Sequence, residues 1–283
     1  RQSRAHGMAG LITRFAPSPT GPLHLGHAFS ALTAWEQAAG GQFLLRIEDI
    51  DRPRCKPEYE IALLEDLRWL GLDWPEPVMR QSDRMPAYSR ALHRLEAMGL
   101  AYRCTCTRSD IRAALSAPQE GAPVTGPDGP VYPGTCRDAD HHAPDAAIRL
   151  DMHKALQQTG ALEFTETGPL YPGRHAPENM AETIGDIVLA RRDIGTSYHL
   201  SVVVDDAAQG ITLVTRGADL FDATPIHVLL QRLLGLPTPR YHHHRLIRDE
   251  KGKRLAKRDD ARALSRYRAE GKTPADIRAM IGF

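Results

Sequence analysis

Two histidines three residues apart, His24 and His27, with Gly26 between them, follow a turn built from Pro17, Pro19, Gly21 and Pro22 behind the apolar pair Leu11 and Ile12. A strand that turns sharply into a helix points unpaired backbone N–H groups, and the positive end of the helix dipole, at whatever lies above the sheet. That is anion chemistry, and the two imidazoles add side-chain donors for phosphate oxygens. A histidine pair that only caps the helix is the plainer alternative. Neither G-x-G-x-x-G nor G-x-x-x-x-G-K-[ST] occurs, so the dinucleotide and P-loop readings have no support.

Further groups able to do chemistry lie downstream. Glu48, Asp49 and Asp51 follow the apolar run 43–47, at the sheet edge where ligands of open α/β folds bind. Carboxylates there take an amino group, a ribose hydroxyl or a metal, or simply cap a helix. Arg216 closes the apolar run 211–215 and would reach the same edge, with a surface ion pair as the alternative. Cys104, Cys106 and Cys136 converge from two sides of a loop rich in Pro and Gly and supply three thiolates of a tetrahedral zinc site. His141, His142 or Tyr132 is the candidate fourth ligand, and inert thiols are the competing reading. Cys55 is a bystander. Residues 251–258 form a dense basic loop, read as a solvated turn or a phosphate-binding patch.

The elements that must position these groups read as a βα alternation. Apolar positions at helical spacing (Leu25, Ala28, Phe29, Leu32, Trp35) predict a helix over 24–39, stopped by Gly40 and Gly41. Helices over 58–70 and 89–98 end at Gly71 and Gly99. Short strands at 147–150 and 162–164 are expected in an inserted module, and 187–191 is expected to return the chain to the main sheet. Residues 198–206 suit a strand or a buried helix. A helix is expected over 222–234, and a last one begins behind Thr273 and Pro274.

Composition excludes little. The 283 residues bury a core without disulfides; 42% apolar and 25% charged residues describe an ordinary globular chain. No run approaches a membrane span, and no secretory signal is visible, which points to the cytoplasm and away from membranes. The net charge is only +1, but residues 240–283 carry thirteen Lys and Arg against six Asp and Glu, a basic face suited to a phosphate backbone. Residues 1–7 are left out of the fold, Met8 being a candidate start.

Residues 14–27 resemble, in order, the R-x-A-P-S-P-T-G-x-x-H-x-G-H form of the HIGH signature in the glutamyl/glutaminyl branch of class I aminoacyl-tRNA synthetases. Arg46-Ile47-Glu48-Asp49 resembles that branch's segment for the α-ammonium of the amino acid, and residues 254–258 resemble its K-M-S-K-S loop. There Arg254 replaces the first lysine, Ala256 the serine, and Lys257 matches the second lysine. By the same analogy 198–206 is taken as a helix. The resemblance covers 13–283 and ends without an anticodon-binding region, which is similar to the shortened glutamyl synthetase-like family.

What this resemblance implies is an α/β, Rossmann-type class I aminoacyl-tRNA synthetase catalytic domain with an inserted zinc-containing module and a short helical C-terminal region. The implied division is 8–100 and 187–240 for the two catalytic halves, 101–186 for the insertion, and 241–283 for the basic loop and helical end. The implied activity is a ligase's: Mg-ATP activates L-glutamate to glutamyl-adenylate, and the glutamyl group passes to the queuosine base at the anticodon wobble position of tRNA(Asp). His24, His27 and Lys257 would be catalytic, and with Gly26 would bind ATP; Arg14, Ser18, Glu48, Tyr198 and Arg216 would bind glutamate. Zn²⁺ would sit on Cys104, Cys106, Tyr132 and Cys136, tyrosine being the family's unusual fourth ligand. A monomer is expected. A truncated enzyme glutamylating a tRNA 3′ end, a catalytically silent amino-acid- or RNA-binding paralogue, and a general RNA-binding module are the alternatives.

Overall fold

The computed structural model describes residues 10–116, 122–255 and 262–283. β1 (Ile12–Phe15) runs into the proline turn and then α1 (Leu25–Gln37), whose small residues Ala28, Ala31 and Ala34 are buried, so the helix lies close on the strand. Thr13 fixes that approach by donating its hydroxyl to the Ala34 carbonyl at 2.7 Å. α1 stops where Gly40 takes φ +80°, a left-handed turn that costs glycine nothing. β2 (Gln42–Ile47) then pairs parallel with β1, Thr13 opposite Phe43.

After α2 (Pro57–Trp69), β3 (Met79–Arg80) adds a third parallel strand beyond β2. α3 (Met85–Ala97) starts four residues before the expected helix, because Pro86 fits its first turn, where no N–H is needed. The chain then leaves the sheet. β4 (Ala101–Cys104), α4 (Arg108–Ser116) and the hairpin of β5 (Thr125–Gly126) and β6 (Gly129–Pro130) precede β7 (Ala147–Leu150), which pairs antiparallel with β4. α5 (Met152–Thr159) leads to β8 (Phe164–Glu166) and β9 (Gly173–His175); α6 (Met180–Thr183) leads to β10 (Val188–Ala190).

Two strands differ from expectation. Residues 188–190 pair antiparallel with β7, in the sheet of the insertion. β8 does not lie in the insertion's three-stranded sheet; it pairs with β9 and with the strand at residues 240–244. A short apolar run announces a strand but not its partner, which the turns and the core choose.

The main fold resumes with α7 (Tyr198–Ala208), a helix as the analogy held, capped by Ser197. β11 (Leu213–Gly217), a 3₁₀ turn over residues 218–223, α8 (Thr224–Leu233) and β12 (Arg240–His244) follow, with β12 parallel to β11. Thr212 N–H donates to the Ile12 carbonyl at 3.0 Å, which sets the β11 side against the free edge of β1. β3-β2-β1 and β11-β12-β8-β9 thus form two hydrogen-bonded sheets set edge to edge as one layer. α9 (Leu264–Ala269) and α10 (Pro274–Ile281) follow, α10 capped by Thr273 as expected, with Asp276 completing a capping box.

Two apolar clusters sandwich this sheet. Leu95, Leu200, Ile226 and Leu229 pack on one face, while Leu32, Leu67, Leu264 and Ile281 pack on the other with Phe43, Leu45 and Ile47. The charged side chains Arg14, Glu48 and Arg216, at the strand ends of β1, β2 and β11, therefore gather at the crevice where open α/β sheets bind ligands.

Candidate active site

A cavity of about 530 Å³ opens at that crevice, lined by Arg14, His24, Gly26, His27, Glu48, Tyr198, Arg216 and Arg254 among others. His24 is the N-cap of α1: its Nδ1 accepts the Gly26 N–H at 3.0 Å, and the His27 Nδ1 accepts the His24 N–H at 2.9 Å. The histidines therefore do cap the helix. Because each Nδ1 is an acceptor, a neutral ring carries its proton on Nε2, which makes Nε2 a donor. A Cβ at Gly26 would stand 2.8 Å from Cε1 of His24, so only glycine admits this ring arrangement.

On the β2 side, Glu48 lines the cavity, and its Oε2 accepts from Arg46 at 3.3 and 3.2 Å and from Gln81 at 3.2 Å, none of these bonds using Oε1. Burial pushes the Glu48 carboxyl above its ordinary value, although Arg46 and Arg14 pull it down. Arg14 projects from β1 onto both oxygens of Asp206, at 2.9 and 3.2 Å, and onto the Thr215 carbonyl at 3.2 Å. Arg46, fully buried, shares Asp206 at 2.8 Å. Burial opposes the charge on Asp206, yet the two guanidiniums outweigh it and hold its carboxyl below the ordinary range.

Arg216, at the end of β11, has a different set of neighbours. Its Nε donates to His243 Nε2 at 3.0 Å, Nη1 to His227 Nδ1 at 2.9 Å, and Nη2 to the Thr224 hydroxyl at 3.0 Å and, more weakly, the Leu220 carbonyl at 3.5 Å. Among the described residues, no carboxylate pairs with it. Tyr198 lines the same cavity, its phenol pushed up by burial. Ser18 is half-buried in the proline turn and does not line the cavity; its neighbour Pro17 accepts the Glu48 N–H at 2.9 Å.

Lys257 and Ala256 lie outside the described residues. The segments flanking them return to the anion turn: Leu264 N–H donates to the Leu23 carbonyl at 2.9 Å, and Arg254 holds Asp219 at 2.6 Å on the cavity wall.

In the insertion, the Tyr132 hydroxyl lies among the three thiols, 3.3 Å from Cys104 Sγ and 3.4 Å from Cys106 Sγ, with Cys106 and Cys136 3.5 Å apart. These four groups could hold a metal. Tetrahedral Zn–S bonds of about 2.3 Å set edges of about 3.8 Å, close to these separations. Tyr132 is further fixed by the Arg149 guanidinium, 3.8 Å above its ring. Hydrogen bonds from Tyr132 and the Thr105 backbone outweigh burial and bring the Cys136 thiol down to about 6. Cys55 is not part of this cluster.

Sequence reading took Arg46 only as part of the Glu48 segment and missed Asp206, His227 and His243. A signal existed for one: Asp205 and Asp206 follow Val202, Val203 and Val204 on a helix with an apolar face, and acids so placed demand buried cations.

The model for the catalytic domain of class I tRNA synthetases (E and Q) matches residues 10–282. The chain is 66% identical over 281 residues to the glutamyl-Q tRNA(Asp) synthetase of Rhodobacter capsulatus, covering 96% of this chain and 100% of that one. It is 43% identical over 278 residues to the Nocardia farcinica protein of the same name, covering 95% and 82%. Among solved structures, the glutamate-tRNA synthetase of Elizabethkingia anophelis matches at a TM-score of 0.68 and 28% identity over 89% of this chain and 53% of that one, so the chain spans about half of that enzyme's length. With the family model matching nearly the whole chain and these relatives covered over most of their length, the chain belongs to the class I tRNA synthetases of the E and Q type and, within them, to the glutamyl-Q tRNA(Asp) synthetase family.

Proposed function

We propose that the chain activates L-glutamate with Mg-ATP and passes the glutamyl group to the queuosine base at the anticodon wobble position of tRNA(Asp). The observation that carries this reading is Arg216: a buried cation at the cavity wall whose acceptors among the described residues are all neutral, suited to the γ-carboxylate of glutamate. Glutamine would leave that charge without its partner, and a site built for a hydrogen-bonding group rejects an analogue lacking it by roughly 10⁴-fold. Tyr198 and Arg14 border the same pocket. Glu48 offers Oε1 to the α-ammonium, and Ser18 lends the turn that orients it.

In the first step a glutamate α-carboxylate oxygen attacks the α-phosphorus of ATP, the bond to the bridging oxygen breaks, and pyrophosphate leaves. No protein nucleophile is needed. His24, His27 and the α1 N–H groups stabilise charge on one side and Lys257 on the other, each such donor worth about 3 to 4 kcal/mol. A cyclopentenediol hydroxyl of queuosine then attacks the activated carbonyl carbon, and AMP departs. Zinc on Cys104, Cys106, Tyr132 and Cys136 would use four protein ligands and leave no open position, which makes its role structural.

Labelled glutamate is offered to tRNA(Asp) carrying queuosine and to the same tRNA carrying guanosine at that position. Label confined to the first is the expected result. Equal labelling of both would place the acceptor at a tRNA 3′ end, and no glutamate-dependent pyrophosphate exchange would leave the silent paralogue.

A further inference from the structure

Arg216 anchors two hydrogen-bonded arms whose proton positions are dictated by chemistry. A guanidinium has donors only, so each imidazole nitrogen facing it must accept. His227 accepts on Nδ1, so its proton sits on Nε2, which lies 2.9 Å from Nδ1 of His199. His199 in turn carries its proton on Nε2 and donates to Asp128, at 2.8 and 2.9 Å, in the β5–β6 hairpin of the insertion. On the other arm His243 accepts on Nε2 and donates from Nδ1 to Glu166 at 2.5 Å. Glu166 is buried and also accepts the backbone N–H groups of His243 and Gly168 at 2.8 and 2.7 Å.

Both arms end on a carboxylate, and both interpose neutral imidazole between that anion and Arg216. A carboxylate placed directly on Arg216 would fix its geometry equally well. It would also neutralise the charge that a substrate acid must meet.

We infer that His227 and His243 are positioning and specificity residues, which hold the Arg216 guanidinium in place through neutral acceptors so that its full charge is kept for an acidic amino-acid side chain. This rests on the assignment of Arg216 to the substrate carboxylate. Burial first, and then the nearness of Arg216, hold His227 well below its ordinary value, in keeping with a ring that stays neutral.

The test compares His227→Gln, which keeps an acceptor and a donor, with His227→Glu, which puts an anion on Arg216. Glutamate- and glutamine-dependent pyrophosphate exchange is followed with KM and kcat separated. For His227→Glu, the glutamate KM should rise about 10²-fold and the glutamate-to-glutamine preference fall by a similar factor, with the ATP KM little moved. His227→Gln should stay within about 10-fold of the parent. An unchanged glutamate KM in His227→Glu, or equal losses in kcat and both KM values in the two variants, would overturn the inference.

Nitrogen-15 spectra of the parent protein decide the matter even if the variants do not fold. Nε2–H on His227 and His199 with Nδ1–H on His243 supports the arrangement; Nδ1–H on His227 refutes it. If the parent shows no glutamate-dependent exchange, the functional reading fails, while the tautomers still report on the positioning arms.

Discussion

Two buried arginines line one cavity from neighbouring strands, Arg14 at 4% and Arg216 at 5% exposure, and they have opposite surroundings. Arg14 belongs to a closed set in which Arg14, Arg46 and Arg84 meet Glu48, Asp205 and Asp206, cation against anion. Tyr88 and Gln81 complete it by donating to Asp205 at 2.6 and 3.1 Å. Among the described residues, Arg216 meets imidazole, hydroxyl and carbonyl groups only. Similar burial thus serves two ends. The first set holds β1, β2, α3 and α7 together and pairs each of its cations before any substrate arrives; the second holds an arginine in place and leaves its charge for a ligand.

The largest effect should come from opening the closed set. Asp206→Asn leaves Arg14 and Arg46 sharing one neutral amide, and breaking a buried pair costs about 3 to 5 kcal/mol. Urea denaturation should show that loss with or without glutamate present. A loss below about 1 kcal/mol would mean that water reaches this cluster and that the two arginines differ less than their neighbours imply.

Arg216→Met should invert the pattern. Removing a buried cation without a counter-ion relieves desolvation, while the freed imidazole acceptors cost about as much, so stability should move by about 1 kcal/mol or less. Glutamate-dependent exchange, in contrast, should fall in kcat/KM by about 10³-fold, the cost of an unanswered buried carboxylate. A variant that unfolds yet, where folded, keeps its glutamate KM would return Arg216 to a structural part.

How much of this was legible beforehand followed from how local each signal is. The anion turn, α1 and the cysteine cluster are written in short stretches: Pro17, Pro19, His24 and His27 in one, Cys104 and Cys106 in another, with Tyr132 and Cys136 four apart. Glu48 and Arg216 were readable because each ends an apolar run. The charge network was not, because its partners lie far apart in sequence: Arg14 and Asp206 are joined across 192 residues. β12 escaped for a different reason. His242, His243 and His244 look polar and lack strand alternation, yet His243 and His244 are buried, paired with Glu166 and Ser30. A histidine that stays neutral packs as a core residue, and nothing local to the chain says which histidines do.

The smallest effect separates the two sets by acid. Asp206 is held below the ordinary carboxylate value, so its contribution is present above about 3.9, the unfolded value, and is lost only as pH falls below that toward the folded value. His227 is held well below its ordinary value, mainly by burial and by Arg216. The unfolded chain binds that proton first, near pH 6.5, so the stability due to neutral His227 is complete above 6.5 and declines as pH falls below it. His227 faces Arg216, His199 and Tyr198, none of which supplies an anion to favour its protonation. Between pH 7.5 and 5.5 a histidine kept neutral costs about 1.3 kcal/mol of stability, and His227→Gln should lessen the acid loss by about that amount. Thermal denaturation of parent and variant across this range checks it. Parallel pH curves would mean that the folded protein protonates His227 readily, and with it that a second cation can stand beside Arg216, which would erase the contrast between the two arginines.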